Sequence, residues 1–246
     1  MTGAPLLTIA YSTLGARAGT IRLPPPRGGV EILVLIQAAE DDAAMMAPQR
    51  PDVCPITLQG RGVAQSRNAA LDHARGQFLL FADDDVVFDA GALDRMLAEF
   101  TRDPGLVLAL GQTQGPDGRL RKAYSRRPAR LTRFNSAKAA TYEMMLRLAP
   151  VRALGMRFDE GFGAGMPNFL GDEYIFICDL LQAGCRCRFF PVTLATHSVH
   201  SSGMRWSDPE AMRARRAVFA RVFGRAGPVI YAAFRLKNWK RARLRA

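Results

Sequence analysis

Cysteine and histidine are scarce in this sequence of 246 residues, which has four cysteines and three histidines. Cys185 and Cys187 are separated by one residue, which is too tight for a standard zinc knuckle. No second pair of cysteines or histidines completes a metal-binding set. The composition therefore excludes a zinc-finger protein, and we expect reduced thiols, as in a cytoplasmic protein.

Long apolar runs are also missing. No run approaches the roughly 20 apolar residues of a transmembrane helix, and residues 1–10 lack the charged leader and cleavage site of a secretion signal. We therefore expect a cytoplasmic chain that is neither exported nor membrane-spanning. With 48% hydrophobic and 23% charged residues, it can form one large α/β domain or two small ones, and widespread disorder is excluded.

Acidic residues are outnumbered, 22 against 34 lysines and arginines, which gives a net charge of +12. The excess is concentrated in two places. From Arg205 onwards, twelve lysines and arginines face only Asp208 and Glu210, and a second basic stretch covers residues 119–138. Such stretches attract the phosphates of nucleic acids, lipids or nucleotides, but a solvated helix face explains them equally well.

The first half of the sequence alternates between apolar strand-like runs and helix-like segments. We predict strands at 6–11, 30–37, 56–58, 77–82 and 106–110, and helices at 62–74 and 90–100, the second capped by Asp89. Strand–helix alternation predicts an α/β fold with a mostly parallel, doubly wound sheet and flanking helices.

The second half has a different texture. Residues 144–154 fit either a strand or a short helix, and residues 158–170 form a glycine-rich loop. A helix at 172–183 and a strand at 185–190, stopped by Pro191, are expected next. We predict a main domain over 1–205, divided into halves 1–111 and 112–205, followed by a basic helical segment over 206–246.

The C-terminal segment has the features of a membrane-surface element. Residues 207–210 have the spacing of a capping box that begins at Ser207, and the helix after it ends at Gly224. A further segment from Pro228 contains Trp239 among lysines and arginines. A basic amphipathic helix with a tryptophan is typical of peripheral membrane contact.

An acidic triplet, Asp83-Asp84-Asp85, ends the apolar run at 77–82. In open α/β sheets, ligands bind at the carboxyl edge to which such a strand leads. Three adjacent carboxylates repel one another unless a cation or hydrogen-bond donors offset their charge. The pattern favours a site for Mg²⁺ or Mn²⁺, which prefer oxygen ligands, although a lone acidic triplet also fits a solvated turn.

Two blocks of sequence resemble glycosyltransferase family 2. The first is GRGVAQSRNAAL at 60–71 with ARGQFLLFADDD at 74–85, which is similar to the family's Arg-Asn helix and Asp-x-Asp motif. The second is FDEGFG at 158–163 with GDEYIF at 171–176, which is similar to its glycine-rich loop and Gly-Glu-Asp-x-x-Phe segment. The resemblance covers about residues 5–205 and implies a GT-A fold with inverting transfer of a sugar from a nucleoside diphosphate.

The resemblance also implies a metal site for Mn²⁺ or Mg²⁺. Asp83 and Asp85 would bind the ion, which would offset the charge that develops on the diphosphate leaving group. A histidine near the end of the domain completes this site in some members of the fold. His197 is the chosen candidate because it directly follows the last strand, with His200 as the alternative.

Donor binding is assigned by the same resemblance. Asp84 would contact the ribose, Arg67 would supply positive charge near the donor, and Ser12 and Thr13 would line the nucleotide cleft. UDP is the favoured donor nucleotide, with GDP and dTDP as alternatives. The acidic residue that many members carry after the second strand is displaced here, to Asp41 or Asp42.

The catalytic base is expected in the second block, because a hydroxyl nucleophile needs a proton acceptor within reach. The order Asp172-Glu173 reverses the family's usual Glu-Asp. Glu173 falls at the position of the base, and Asp172 at that of the acid that orients the acceptor. The alternative is that both acids only complement the helix dipole.

The expected enzyme is a metal-dependent glycosyltransferase of bacterial surface polysaccharide or glycolipid synthesis. Its acceptor would be a carbohydrate or lipid-linked molecule, with no nucleic acid partner. It would be cytoplasmic, with peripheral contact at the inner face of the membrane through its basic C-terminus.

Two rival hypotheses remain. One is a nucleotide-sugar pyrophosphorylase, suggested by a faint likeness of residues 19–25 to that enzyme's glycine-rich loop. The other is a non-enzymatic basic protein that binds membrane or nucleic acid through residues 205–246.

Overall fold

The computed structural model describes residues 3–38, 47–197 and 208–243, with side chains described up to residue 238. In these ranges it contains nine β-strands in one sheet and six α-helices. The predicted α/β fold with a large, mostly parallel sheet is therefore confirmed.

Four parallel strands form the first part of the sheet, in the order β3-β2-β1-β4. They are β1 (Leu7–Leu14), β2 (Val30–Gln37), β3 (Val53–Leu58) and β4 (Phe78–Asp83). All of β2 after Val30 is buried, as its continuous apolar run predicts for a strand covered on both faces.

The second part of the sheet introduces antiparallel pairs. Strand β8 (Met144–Arg147) lies antiparallel between β4 and β6 (Leu106–Gln114), and β9 (Arg186–His197) runs parallel to β6. The short strands β5 (Val86–Phe88) and β7 (Ala129–Arg130) pair antiparallel with β9.

The described residues form six α-helices, four of which pack on the two faces of the sheet. They are α1 (Val63–His73), α2 (Ala90–Arg102), α3 (Leu148–Ala153), α4 (Asp172–Gln182), α5 (Pro209–Phe223) and α6 (Gly227–Arg243). Helix α2 lies in one apolar layer, which includes Met96 and Phe100. Helices α1, α3 and α4 lie in the other, which includes Leu71, Val151 and Phe176.

The first half agrees with the prediction in its element types, and the bounds shift by a few residues. The cap of α2 is confirmed, since the Asp89 carboxylate accepts a hydrogen bond from the amide of Ala92 at 2.6 Å. Residues 144–154 combine both alternatives, because β8 leads directly into α3. Strand β6 continues past its expected end at Leu110 and so crosses the boundary expected at residue 111.

The expected stop at Pro191 is wrong, because β9 continues to His197. The register between β9 and β6 shifts between Phe189 and Thr193. Pro191 falls in this irregular step, where the missing amide hydrogen costs no ladder bond. The extension carries His197 to the last position of the strand.

The start of α5 also differs from the expected capping box. Its N-cap is Asp208, whose side chain accepts a hydrogen bond from the amide of Glu210 at 2.9 Å. Ser207 lies outside the described residues. The helix end at Gly224 is confirmed, with glycine at φ 54° and ψ −127°.

Helices α5 and α6 form a hairpin. The Phe219 ring of α5 lies 5.5 Å from Tyr231 and 5.0 Å from Phe234 of α6. By length and composition alone, the combined segment Pro209–Asn238 qualifies as a membrane span, because an 18-residue stretch within it has a mean hydropathy of 1.2, and 17% of that stretch is buried. A continuous span is disfavoured, because the segment is broken by the 3₁₀ helix Gly224–Ala226 and contains Arg221 and Arg225.

Candidate active site

The carboxyl ends of β1 and β4 meet at one edge of the sheet. The parallel register aligns Ser12 with Asp83, so the polar end of β1 and the acidic end of β4 are direct neighbours. The Ser12 hydroxyl also lies 2.8 Å from the Ser66 hydroxyl of α1. This arrangement places α1 beside the acidic triplet.

Asp84 is held by two donors from the end of β1 and the turn after it. Thr13 donates its hydroxyl to Asp84 Oδ2 at 2.8 Å, and the Arg17 guanidinium lies 3.2 Å from the same oxygen. Arg17 belongs to a short 3₁₀ helix, Gly15–Thr20. Its side chain is 58% exposed, whereas that of Asp84 is 9% exposed. Sequence reasoning missed Arg17, because the proline-rich segment around it has no recognisable motif.

Asp85 is paired with His197. Strand β5 turns back beside the end of β9, with Val86 opposite His197, and His197 Nε2 lies 3.2 Å from Asp85 Oδ1. The imidazole is buried and stacks on the Tyr142 ring, with centroids 4.5 Å apart. Two of the three sequence candidates for metal binding, Asp85 and His197, are thus brought together.

Arg121 reaches the same place from the basic stretch. Its guanidinium contacts Nδ1 of His197 and donates to the Tyr142 hydroxyl at 2.7 Å. Because arginine only donates, this network assigns the hydrogen of His197 to Nε2, where it faces Asp85. A metal could bind Nε2 only after this network rearranged. Arg121 and Tyr142 were missed because tertiary folding alone brings them to the site.

Arg67 connects the two acidic blocks. Its buried guanidinium forms an ion pair with Asp172 at the start of α4, and it lies 3.9 Å from Asp83 Oδ1. It also lies 5.7 Å from the centre of the Phe158 ring. The residue expected near the donor therefore sits between Asp83 and the acidic pair of α4.

Asn68 makes a second connection between the blocks. Its side-chain amide donates to the Phe158 carbonyl at 3.0 Å and to the Glu160 carboxylate at 2.8 Å, and its oxygen accepts from the Phe158 amide at 2.8 Å. Neighbouring residues of α1 thus tie the glycine-rich loop to the helix beside the acidic triplet. Arg67 and Asn68 together therefore connect the acidic triplet to the glycine-rich loop and to the start of α4.

The acidic pair of α4 has two distinct environments. Asp172 is 3% exposed and engaged by Arg67, whereas Glu173 is half-buried. Burial, reinforced by the negative charge of Asp172 and opposed by Arg67, raises the pKa of Glu173 to about 8. A carboxylate with such a pKa is a stronger proton acceptor than an ordinary glutamate.

Two glycines allow α4 to start where it does. Gly163 has φ 96°, and a Cβ there would lie 2.8 Å from the Asp172 carboxylate and from Val63. Gly171 has φ 84°, and its Cβ would lie 2.8 Å from Val218 of α5. A side chain at either position would be strained and would push against the acidic pair or its support.

The residues fit a divalent cation in part. Among the described residues, no group of three acids, histidines or cysteines is gathered tightly enough to hold a metal. Asp83 and Asp85 still supply the oxygen ligands that Mg²⁺ and Mn²⁺ prefer. Burial and the neighbouring carboxylates raise the pKa of Asp83, against the effect of Arg67 and His197. A bound cation would relieve that repulsion.

All nine sequence-predicted site residues lie in one connected cluster at this edge. They are Ser12, Thr13, Arg67, Asp83, Asp84, Asp85, Asp172, Glu173 and His197. The alternative metal ligand His200 and the displaced acids Asp41 and Asp42 lie outside the described residues.

Comparison with known sequences gives one match. The model of the family described as glycosyl transferase family 2 matches residues 26–158, just over half of the chain. This range includes Arg67 and the acidic triplet and ends before Asp172. A search of curated proteins found no match to this sequence.

Solved structures give the fold independently. S. aureus TarS (residues 1–349) superposes with a TM-score of 0.63 at 14% identity, covering 89% of this chain and 66% of its own. The mannosyltransferase PcManGT from Pyrobaculum calidifontis, in complex with GDP-Man and Mn²⁺, has a TM-score of 0.61 at 18% identity. The match covers 96% of this chain and 70% of the PcManGT chain. This chain therefore spans slightly less than two thirds of the TarS fragment. At these identities the likeness establishes a GT-A glycosyltransferase fold.

Proposed function

We propose, from the premise that the chain belongs to glycosyl transferase family 2, that it is an inverting glycosyltransferase. It would move a sugar from a nucleoside-diphosphate sugar to an acceptor hydroxyl. The observation that carries this proposal is the bridge through Arg67, which links the acidic triplet to the acidic pair of α4. The acidic triplet proposed to bind the sugar donor and the acid proposed as the base thus lie at the same edge of the sheet.

Glu173 is proposed as the general base. It would accept the proton of the acceptor hydroxyl while that oxygen attacks the anomeric carbon and the bond to the diphosphate breaks. Its raised pKa favours this role, because the proton would pass to a comparatively basic carboxylate. Attack from the side opposite the leaving group inverts the anomeric centre.

Asp172 is proposed to position Glu173 rather than to react itself. Its carboxylate is buried against Arg67, so it fixes the start of α4 and holds Glu173 next to it. Orienting the acceptor directly, as the family resemblance implies, would require Asp172 to share its carboxylate between Arg67 and the acceptor. Arg67 in turn would place its fixed positive charge near the sugar donor, because it lies beside Asp83.

Asp83 and Asp85 would hold Mn²⁺ or Mg²⁺, and the ion would neutralise charge on the departing diphosphate. His197 would join them as a third ligand once its contact with Arg121 rearranged. A Mn²⁺ complex of PcManGT supports divalent metal use in this fold.

Asp84, Ser12 and Thr13 are proposed to bind the nucleoside. Both donors to Asp84 converge on Oδ2, and within the described residues Oδ1 receives no hydrogen bond. Asp84 Oδ1 is therefore available to accept from ribose hydroxyls. TarS structures contain UDP and UDP-GlcNAc, which supports UDP as the favoured nucleotide here, with GDP and dTDP as alternatives.

The acceptor is proposed to be a carbohydrate or a lipid-linked molecule in bacterial surface polysaccharide or glycolipid synthesis. The transfer would take place in the cytoplasm or at the inner face of the membrane. We expect no nucleic acid partner in this reaction.

Calorimetry of UDP, GDP and dTDP, with and without Mn²⁺, tests the proposal. We expect metal-enhanced binding of one nucleotide to the wild type and its loss in Asp85→Ala. Asp94→Ala is the matched control, because Asp94 forms an exposed ion pair with Arg27 and is not one of the predicted site residues. Metal-independent binding, or an unaffected Asp85→Ala variant, would contradict the site. Pyrophosphate release from a nucleoside triphosphate and a sugar phosphate would instead identify a pyrophosphorylase.

A further inference from the structure

Helix α6 carries an apolar face that nothing in the described structure covers. Its opposite face packs on α5 through Tyr231 and Phe234, and the Tyr231 hydroxyl donates to the Met212 carbonyl at 3.1 Å. Helix packing thus accounts for one side of α6 only. The other side faces solvent.

Val229 and Leu236 are 73% and 72% exposed, among the most exposed large apolar side chains described. They are seven residues apart and therefore lie on the same side of the helix. The small residues Ala232 and Ala233 are exposed between them. Together these four residues form a continuous apolar stripe two turns long, which we call the α6 stripe.

Cations border the α6 stripe on both sides. Arg235 and Lys237 are exposed, and at 100° per residue they fall on opposite flanks of the line from Val229 to Leu236. No acidic residue occurs after Glu210, whereas eleven lysines and arginines do. The face is therefore apolar at its centre and positively charged on both flanks.

We propose that the α6 stripe docks on an anionic lipid surface. Val229 and Leu236 would enter the boundary between headgroups and acyl chains, and Arg235 and Lys237 would lie among the lipid phosphates. A nucleic acid would engage the cations but leave the apolar centre in water. A second copy of the chain would set one positively charged face against another, which is repulsive.

The docking face is attached to the proposed base through α5. Arg221 of α5 forms ion pairs with Asp159, at the start of the glycine-rich loop, and with Asp179 of α4 at 2.8 and 2.9 Å. Val218 packs against Gly171, directly before the acidic pair. The hairpin would therefore hold the acceptor side of the cleft close to the membrane, where a lipid-linked acceptor resides.

Vesicle cosedimentation of the full chain tests this inference. The vesicles contain phosphatidylcholine with or without phosphatidylglycerol. Val229→Gln/Leu236→Gln removes the apolar centre and keeps a helix-forming side chain. Arg235→Gln/Lys237→Gln removes the flanking charge. Leu120→Gln, at an exposed apolar residue elsewhere, and Arg126→Gln/Arg127→Gln, in the other basic stretch, are the matched controls.

We expect binding to anionic vesicles that weakens with salt. Arg235→Gln/Lys237→Gln should lower the partition coefficient about 25-fold, since each basic residue near an anionic surface contributes roughly fivefold. Val229→Gln/Leu236→Gln should lower it at least about tenfold, because it removes the apolar side chains that would be buried in the membrane. The controls should bind like wild type. Equal melting temperatures and nucleotide affinities in all variants would separate this result from misfolding or a failed active site.

Three outcomes would overturn the inference. Wild type could remain in the supernatant with anionic vesicles. The apolar variant could bind vesicles like wild type, while the charge variant no longer binds either vesicles or a single-stranded oligonucleotide. That result would identify a general binding site for polyanions. Ultracentrifugation could reveal a dimer that Val229→Gln/Leu236→Gln dissociates, without vesicle binding by wild type, which identifies an interface between two copies.

Discussion

Arg67 of α1 and Asp172 of α4 form a buried ion pair across 105 residues of sequence. Each comes from a different motif, and each is less than a tenth exposed. The pair fixes the distance between the triplet that would bind the donor and the acid that would activate the acceptor. Donor and acceptor must approach within bonding distance for transfer, so a change in the geometry of this ion pair should change the rate of the reaction.

Removing one partner of this pair should be strongly destabilising. Asp172→Asn leaves the buried Arg67 guanidinium with only the more distant Asp83 carboxylate, at 3.9 Å, and we expect a loss of about 3 kcal/mol in unfolding free energy. Urea denaturation followed by circular dichroism measures it. Arg157→Ala breaks the exposed pair with Asp72 and should cost less than about 1 kcal/mol. Equal losses in the two variants would mean that the buried pair is not strongly coupled.

Glu173→Gln should separate catalysis from binding. The amide cannot accept the acceptor proton, so we expect kcat to fall roughly 100-fold to 10,000-fold with unchanged nucleotide affinity. Donor-dependent transfer assays and calorimetry on the same protein give both values. Glu99→Gln, at an ion pair with Arg102 on α2, is the control. Normal turnover by Glu173→Gln would disqualify Glu173 as the base.

The raised pKa of Glu173 predicts a pH dependence of activity. A base must be deprotonated, so kcat/KM should rise with pH and level off above a value near 8. Positive charge brought by a bound metal would lower that apparent pKa. A pH profile of kcat/KM for wild type tests this, and a flat profile between pH 6 and 9 would contradict it.

The same pKa predicts an opposite trend in stability. The folded-state pKa of about 8 exceeds the unfolded value of 4.5, so the folded protein binds more protons between these values. Its unfolding free energy should therefore fall as pH rises from 4.5 through 8. Glu173→Gln should reduce this decline, with the remainder due to Asp83, whose pKa is also raised, and should gain stability over wild type above pH 8. Denaturation curves at pH 5 and pH 9 for both proteins measure it.

Thr13→Val should weaken donor binding by loosening Asp84. The Thr13 hydroxyl fixes Asp84 Oδ2, and without it the carboxylate loses its fixed orientation towards the ribose. We expect nucleotide affinity to fall about tenfold, the size of one hydrogen bond to a charged group. Arg17→Gln should have a smaller effect, because Arg17 is mostly exposed. Thr101→Val, at an exposed threonine on α2, should leave affinity unchanged in calorimetry.

The sequence predicted the parts of this site that lie within single elements. Asp83, Asp84 and Asp85 follow an apolar run that is visible by itself, and the start of α4 follows a glycine. The contacts of Arg121 and Tyr142 with His197 could not be foreseen, because three distant segments must fold together before they exist. Pro191 misled the prediction, since a bulge in the pairing tolerates the proline that a regular ladder would reject.

Gly163 tests whether the acidic pair depends on the loop beside it. Alanine there combines positive φ with a Cβ 2.8 Å from the Asp172 carboxylate and from Val63. Gly184 also has positive φ, 80°, but open space around its Cβ. Gly184→Ala should cost only the backbone strain of about 1 kcal/mol.

Gly163→Ala should cost more than Gly184→Ala, by about 1–3 kcal/mol, because the added methyl group overpacks the loop against α1 and α4. It should also lower kcat, since a displaced Asp172 moves the neighbouring Glu173 away from the acceptor. Urea denaturation of both variants measures the strain, and transfer assays measure the effect of displacing Glu173. If the two alanine variants were equally stable and equally active, the loop would not hold the acidic pair in place.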